Sequence, residues 1–315
     1  MNPAPARQVC IAGPPPRPLP NGDIALHARA ASRGAYRGPE GVVLHLKPYP
    51  IMISGSTLDE DFRAVVNAIS PFLSADRKEW LIRRSNKLDY VNDNRPLAKL
   101  YEEDVRALLQ AHILPTEIGT ALFKLLPKDM TIWIVRFDEL AQESFGVCNA
   151  ITSQMTSRLS DGVRILFSPE TWAYTACGKL PGYRADETLL HEMVHAVRLA
   201  RFGFEGTNHE PLRMNKDHEE FLAVQMTNVY RSEKKAKTFN HAYMTSALGS
   251  QAEVERTLAS MDFVTALESF SDDPFVAAVA GINTPFNPFR DLKRLKDQVR
   301  LNQQPRPPAP RQQRK

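Results

Sequence analysis

The run His191-Glu192-Met193-Val194-His195 constrains this chain more than any other feature. Two imidazoles four residues apart share one helix face, so both can offer a ring nitrogen to a single ion about 2 Å away, provided that the segment is helical. The flanking residues meet that condition. Arg184 to Leu190 reads as the first turns of a helix, with Asp186 and Glu187 near its N-terminus, and Ala196 to Arg201 continue it until Gly203 stops it. Glu192 is turned by roughly 100° from His191, so it borders the ion without having to bind it. That place suits a general base, which takes a proton from a zinc-activated water and passes it to a departing amine. A five-residue match of this kind also arises by chance on an ordinary amphipathic helix, so the reading depends on a third ligand.

A catalytic zinc needs that third protein ligand and an open position. Four of the eight histidines lie between 191 and 218, which directs the search there. Asn208-His209-Glu210-Pro211 reads as a turn and Asn215-Lys216-Asp217 as a cap. His218 to Tyr230 then reads as a second helix, with Phe221, Leu222, Met226 and Val229 available for packing. His218, Glu219 and Glu220 are all candidate ligands, although the helix dipole alone favours acidic residues in a first turn. Periodicity does not choose among them.

His191-Glu192-x-x-His195, followed by Glu219-Glu220-Phe221-Leu222-Ala223-Val224 and by Thr227-Asn228-Val229-Tyr230-Arg231-Ser232-Glu233, resembles the zincin metallopeptidase effectors of bacteria. These include type III effectors that cleave host signalling proteins and toxins loaded on type VI secretion machinery. The second helix is also similar to that of the anthrax lethal factor catalytic domain, where the glutamate immediately before the aromatic residue binds zinc. Carried onto this sequence, the resemblance implies Zn2+ held by His191, His195 and Glu220, with Glu192 catalytic. It covers about Leu189 to Glu233 and departs at Val224, where the related pattern has an acid. A carboxylate that orients a ligand histidine would then come from Glu219 or Asp217.

The fold that the resemblance implies is α+β, a zincin-like metallopeptidase with a small mixed sheet and two zinc-binding helices. The function it implies is that of a zinc-dependent endopeptidase acting as a secreted bacterial effector or toxin. Its substrate would be a protein or peptide, and its partners the secretion machinery, a chaperone or an immunity protein. The chain would reside in the bacterial cytoplasm before delivery into a host or competitor cell. A cell-wall peptide hydrolase or housekeeping metallohydrolase would carry the same residues. The intact His-Glu-x-x-His with Glu220 argues against a third alternative, a binding protein with a degenerate zinc site.

Zincins place an edge strand beside the cleft, where an extended substrate adds by backbone hydrogen bonds. Gly162 to Pro169 is the candidate, being apolar, closed by proline and just ahead of the motif helix; an ordinary core strand is the alternative. A donor to the oxyanion is also expected, since charge develops there. Tyr230, His218 and His209 are the candidates. Tyr230 lies about 15 Å along the helix from Glu220 and reads as packing. His209, on the connecting segment, is the choice for a second catalytic residue, against a plain surface histidine.

The remaining sequence frames this unit. The formal charge is +4, yet residues 288–315 hold nine Lys or Arg against Asp291 and Asp297, so the basic balance belongs to the tail. Arg290 to Leu301 reads as a short basic helix and 305–310 as an extended proline-rich segment. Without interleaved aromatics the tail gives no sign of base stacking, and a solvated terminus is expected rather than nucleic acid or membrane as partner. Seven prolines in the first twenty residues mark a disordered leader, 1–21, with no apolar stretch for general secretion. No run reaches transmembrane length. Cys10, Cys148 and Cys177 lie far apart and form no spaced metal motif.

Between the tails, Val42 to Leu46 and Ile51 to Ile53 read as short strands, and Asp59 to Leu73 as a helix. Asn92 to Pro96 interrupts the chain. Helices follow over Glu102 to Ala111 and Glu117 to Leu125, then a strand over Met130 to Arg136, and Cys148 to Thr156 pairs with Gly162 to Phe167. The catalytic domain is expected over 100–287, with 22–100 either an N-terminal lobe or part of the same core. No internal repeat is present.

Overall fold

The computed structural model describes residues 43–55, 95–128, 130–136, 150–154, 162–169, 182–203, 207–208, 210–212, 215–240, 247–248 and 251–303. The leader 1–21, the helix expected at Asp59 to Leu73, the three cysteines, His209 and residues 304–315 lie outside them.

Five strands form a mixed sheet: β1 (Val43–His45), β2 (Ile51–Ser54), β3 (Ile132–Arg136), β4 (Ile151–Gln154) and β5 (Val163–Phe167), in the order β1-β2-β3-β5-β4. β2, β3 and β5 run parallel, and β1 and β4 close the two sides antiparallel. Alternation in the sequence becomes alternation of faces: Val163, Ile165 and Phe167 are buried on one side of β5, whereas Arg164 and Leu166 are only half-buried on the other. Ile51, Ile53, Ile132 and Ile134 extend the same core.

The expected edge strand lies in the interior of the sheet. The segment Gly162 to Pro169 is not the sheet edge; β5 is paired on both sides, with β3 and with β4. Among the described residues the edge strands are β1 and β4, and of the two it is β4 that packs beside the motif helix, together with the interior β5. Apolar patterning reports which face of a strand is buried, not how many neighbours it pairs with.

Helix α1 (Arg95–Ala107) runs into a π-helical turn, Leu108–Ile113, and is followed by α2 (Glu117–Lys124). Pro96, read as part of a break, sits in the first turn of α1, where its missing N–H would have had no helical partner anyway. The helix approaches the end of β2 closely: a side chain at Gly55 would lie 2.1 Å from the Ala98 carbonyl oxygen, and Gly55 N donates to Glu102 Oε1 at 3.1 Å. Thr116 caps α2 by accepting from Gly119 N at 3.1 Å. The first amides of α2, those of Glu117 and Ile118, donate to the Glu233 carboxylate more than a hundred residues away.

The motif helix is α3 (Ala185–Phe202), closed by Gly203 at φ +69°, a conformation that glycine adopts without strain. Glu187 accepts from Arg184 N at 3.2 Å and so serves the helix start. A small hairpin, β6 (Pro211–Leu212) and β7 (Asn215–Asp217), leads to α4 (His218–Glu233), whose first turn Asp217 caps by accepting from Glu220 N at 2.9 Å. The start of α3 meets the end of α4 and the end of α3 meets its start, so the two helices pack antiparallel.

α4 is buried nearly all round, which explains a polar stretch that periodicity alone would place in water. Four of its polar residues are bonded outside the helix. Asn228 exchanges bonds with the Asn240 backbone at 2.8 Å each, Tyr230 Oη donates to Asp186 Oδ2 at 2.7 Å, and Ser232 Oγ accepts from Phe286 N at 2.9 Å. Arg231 pairs with Glu187 and donates to the Thr238 carbonyl. Phe221, Met226 and Val229 supply the apolar part, each worth about 1.5–3 kcal/mol on burial.

Beyond a second small hairpin, β8 (Phe239–Asn240) with β9 (Ala247–Leu248), come α5 (Gln251–Leu258), α6 (Met261–Glu268), α7 (Pro274–Ala280) and α8 (Leu292–Gln303). The basic helix expected at Arg290 to Leu301 is α8, and it docks on α6 through the buried Leu295 and Val299. Among the described residues no helix is long and apolar enough to cross a membrane.

Candidate metal centre

The i, i+4 spacing on α3 brings the His191 and His195 rings edge to face, with Nε2 atoms 3.1 Å apart. Antiparallel packing then brings the first turn of α4 over them. Glu220 Oε2 lies 3.3 Å from His191 Nε2, and Glu220 Oε1 lies 3.6 Å from His195 Nε2. One donor atom from each of the three residues lies within 4.8 Å of the other two. Donors on a tetrahedral zinc at about 2.0–2.2 Å are about 3.3–3.6 Å from one another, close to the shortest separations here.

Electrostatics agrees with that fit. Glu220 Oε2 is buried and, although 3.3 Å from His191 Nε2, has no well-formed hydrogen bond among the described residues, a cost that a cation between the three residues removes. Burial opposes charge on His195, yet the Glu220 carboxylate beside it pushes its pKa up to about 9. Burial likewise opposes charge on Glu220, and His195 with His191 holds its carboxyl well below the usual range. The site therefore favours positive charge next to an ionised carboxylate. Two imidazoles and one carboxylate form a metal-binding triad consistent with an HExxH zinc-dependent hydrolase, placed on two helices beside a small mixed sheet in an α+β fold.

Glu192, on the same helix, is buried, and its Oε2 accepts from Thr152 Oγ1 of β4 at 2.6 Å. The same hydroxyl lies 3.1 Å from the Glu192 backbone oxygen, and its single proton goes to the shorter, charge-assisted bond. Thr152 belongs to no motif. The one sequence signal for it was the pairing of its strand with the one that precedes α3.

The remaining candidates separate cleanly. Glu219, adjacent to Glu220, faces the other way: its Oε2 accepts from Arg198 Nε at 2.6 Å, and its Oε1 from Arg198 Nη2 and Asn208 N, each at 2.8 Å. It is thus not the third ligand, and its oxygens are committed to Arg198 and Asn208 rather than to a ligand histidine. Asp217 serves as the helix cap, and Val224 is buried. His218 Nδ1 engages the Glu210 carbonyl at 3.0 Å, and its ring lies 6.3 Å from that of Phe270. Tyr230 is a packing residue, fully buried and donating to Asp186, with its hydroxyl pKa raised by burial and by that carboxylate. Comparison of the chain with known protein families, with curated proteins and with solved structures finds no match.

Proposed function

We propose that this chain is a zinc-dependent endopeptidase acting as a secreted bacterial effector or toxin. The observation that carries the chemistry is a carboxylate, Glu192, held by Thr152 beside the His191, His195 and Glu220 donors. Those three residues would hold the ion. When bound, zinc supplies Lewis acidity, which acidifies water towards neutrality and polarises a carbonyl oxygen. Glu192 supplies the proton handling: with Oε2 occupied by the Thr152 hydroxyl, Oε1 takes the proton from water and delivers it to the leaving amine nitrogen. His209 is assigned to the developing oxyanion.

A protein or peptide substrate is favoured by the edge position of β4 against α3, which suits an extended chain added by backbone bonds. The effector role rests on the sequence resemblance over Leu189 to Glu233 alone. It implies passage from the bacterial cytoplasm through a specialised secretion apparatus, with a chaperone or an immunity protein as partner. The test is terminal-peptide mass spectrometry of host and bacterial lysates exposed to the protein or to Glu192→Gln. New protein termini with the former and not the latter are expected, and identical terminal profiles would overturn the reading.

A further inference from the structure

Arg198 follows His195 by three residues on α3, and Glu219 immediately precedes Glu220 on α4. Their side chains are only 5% and 3% exposed and pair through two parallel bonds, 2.6 and 2.8 Å long. Asp273 holds the remaining edge of the guanidinium while capping α7 through bonds from Phe275 N at 2.7 Å and Val276 N at 3.2 Å. The Phe202 and Phe270 rings each lie 5.3 Å from the guanidinium carbon. Two carboxylates and two aromatic rings therefore leave this cation one orientation.

As a source of stability such a pair is weak, because desolvation offsets most of the attraction and an apolar pair would hold the helices equally well. What a forked pair adds is a single geometry. Its position says which geometry is being set: the fork ends one residue from the carboxylate that faces both imidazoles. We infer that the Arg198–Glu219 clamp presets the metal site, holding α4 against α3 so that Glu220 faces His191 and His195 before an ion arrives. Arg198 and Glu219 are positioning residues, acting through Glu220 by reducing the ordering that binding would otherwise require. This rests on the zinc reading of the triad.

A second buried ion pair on the same helices separates presetting from general helix packing. Glu187 of α3 pairs with Arg231 of α4, which lies eleven residues beyond Glu220, about 16 Å along the helix. The test is the zinc dissociation constant of the full chain, measured by competition with a chromophoric chelator, beside urea unfolding of the metal-free protein. In the double variant Arg198→Met with Glu219→Gln, the amide keeps an acceptor for Asn208 N and Asp273 keeps the bonds from Phe275 N and Val276 N, so the metal-free protein is expected to stay folded. Its zinc affinity is expected to fall about 10–100-fold, the range typical of residues that orient ligands. Glu187→Gln with Arg231→Met should change stability but leave zinc affinity within about twofold, since a pair so far from the donors orients none of them.

Wild-type affinity in the first double variant, or an equal loss in both, overturns the clamp. If the first double variant does not fold, Arg198→Lys, which keeps the charge and loses the fork, carries the same expectation and the same refutation. Failure of the wild-type chain to bind zinc would instead overturn the functional reading itself.

Discussion

Glu192 and its threonine show how much a single oxygen matters. Glu192→Gln keeps the volume of the side chain and touches none of the three metal donors, so zinc content should remain near wild type. Removing the proton acceptor should lower turnover by about 10²–10⁴. Elemental analysis beside the cleavage rate checks both halves, and loss of zinc would mean that Glu192 is a ligand. Thr152→Val removes the hydroxyl bonded to the carboxylate, and hydrogen bonds to charged groups are worth about 1.5–3 kcal/mol. The rate should fall roughly 10–100-fold at unchanged zinc content, with Thr152→Ser restoring most of it; a Ser variant as slow as Val would show that the methyl packing matters instead. His195 adds a pH signature. Its pKa of about 9 means that the metal-free site carries a proton at neutral pH, which zinc must displace. Calorimetry in buffers of different ionisation enthalpy should detect about one proton released per zinc near pH 7. At this scale the motif was legible and its neighbours were not. Glu219 and Glu220 differ by one helical step, and what separates their roles is Arg198, twenty-one residues upstream of Glu219 and visible only once the helices pack.

At the scale of elements, local pattern carried the two site helices well: caps, the stop at Gly203 and the i, i+4 pair all belong to short stretches of chain. It also paired β4 with β5, as observed, but it missed the second neighbour of β5. β5 and β4 were both legible as strands, but the neighbour that turns β5 into an interior strand, β3, lies some thirty residues away. The polar face of α4 was equally opaque, since Asn228, Tyr230, Arg231 and Ser232 find partners on three different segments. One of those contacts gives a pH test. Burial alone would raise the Asp186 carboxyl, but Lys234 and Tyr230 overcome it and hold it below the ordinary value. A depressed folded pKa stabilises above the unfolded value and ceases to do so as the pH falls through the folded one. Asp186→Asn should therefore be less stable than wild type at neutral pH, and the gap should close below about pH 3–4. Urea titrations at both pH values decide it, and a gap that widens in acid would reverse the assignment.

Across the whole molecule, the sheet joins residues 43–55 to 132–135, so its centre depends on contacts between distant parts of the chain. No window of sequence contains such a pairing. The same holds for the Glu233 carboxylate at the start of α2, and there it bears on the order of folding. α2 has eight residues, too few to persist alone in water, and its leading amides gain their acceptor only when the far end of α4 arrives. Closing so large a loop is slow compared with forming a helical turn, so α2 should become protected late and together with α4. In native-state hydrogen exchange, the amides of Glu117 and Ile118 should open in the same cooperative unit as those of α4. Exchange of α2 at much lower free energy would show the two as separate units. With one unit, proteolytic nicking between residues 124 and 218 would release no stable fragment, and the protein would be lost from a cell by whole-molecule unfolding rather than by trimming.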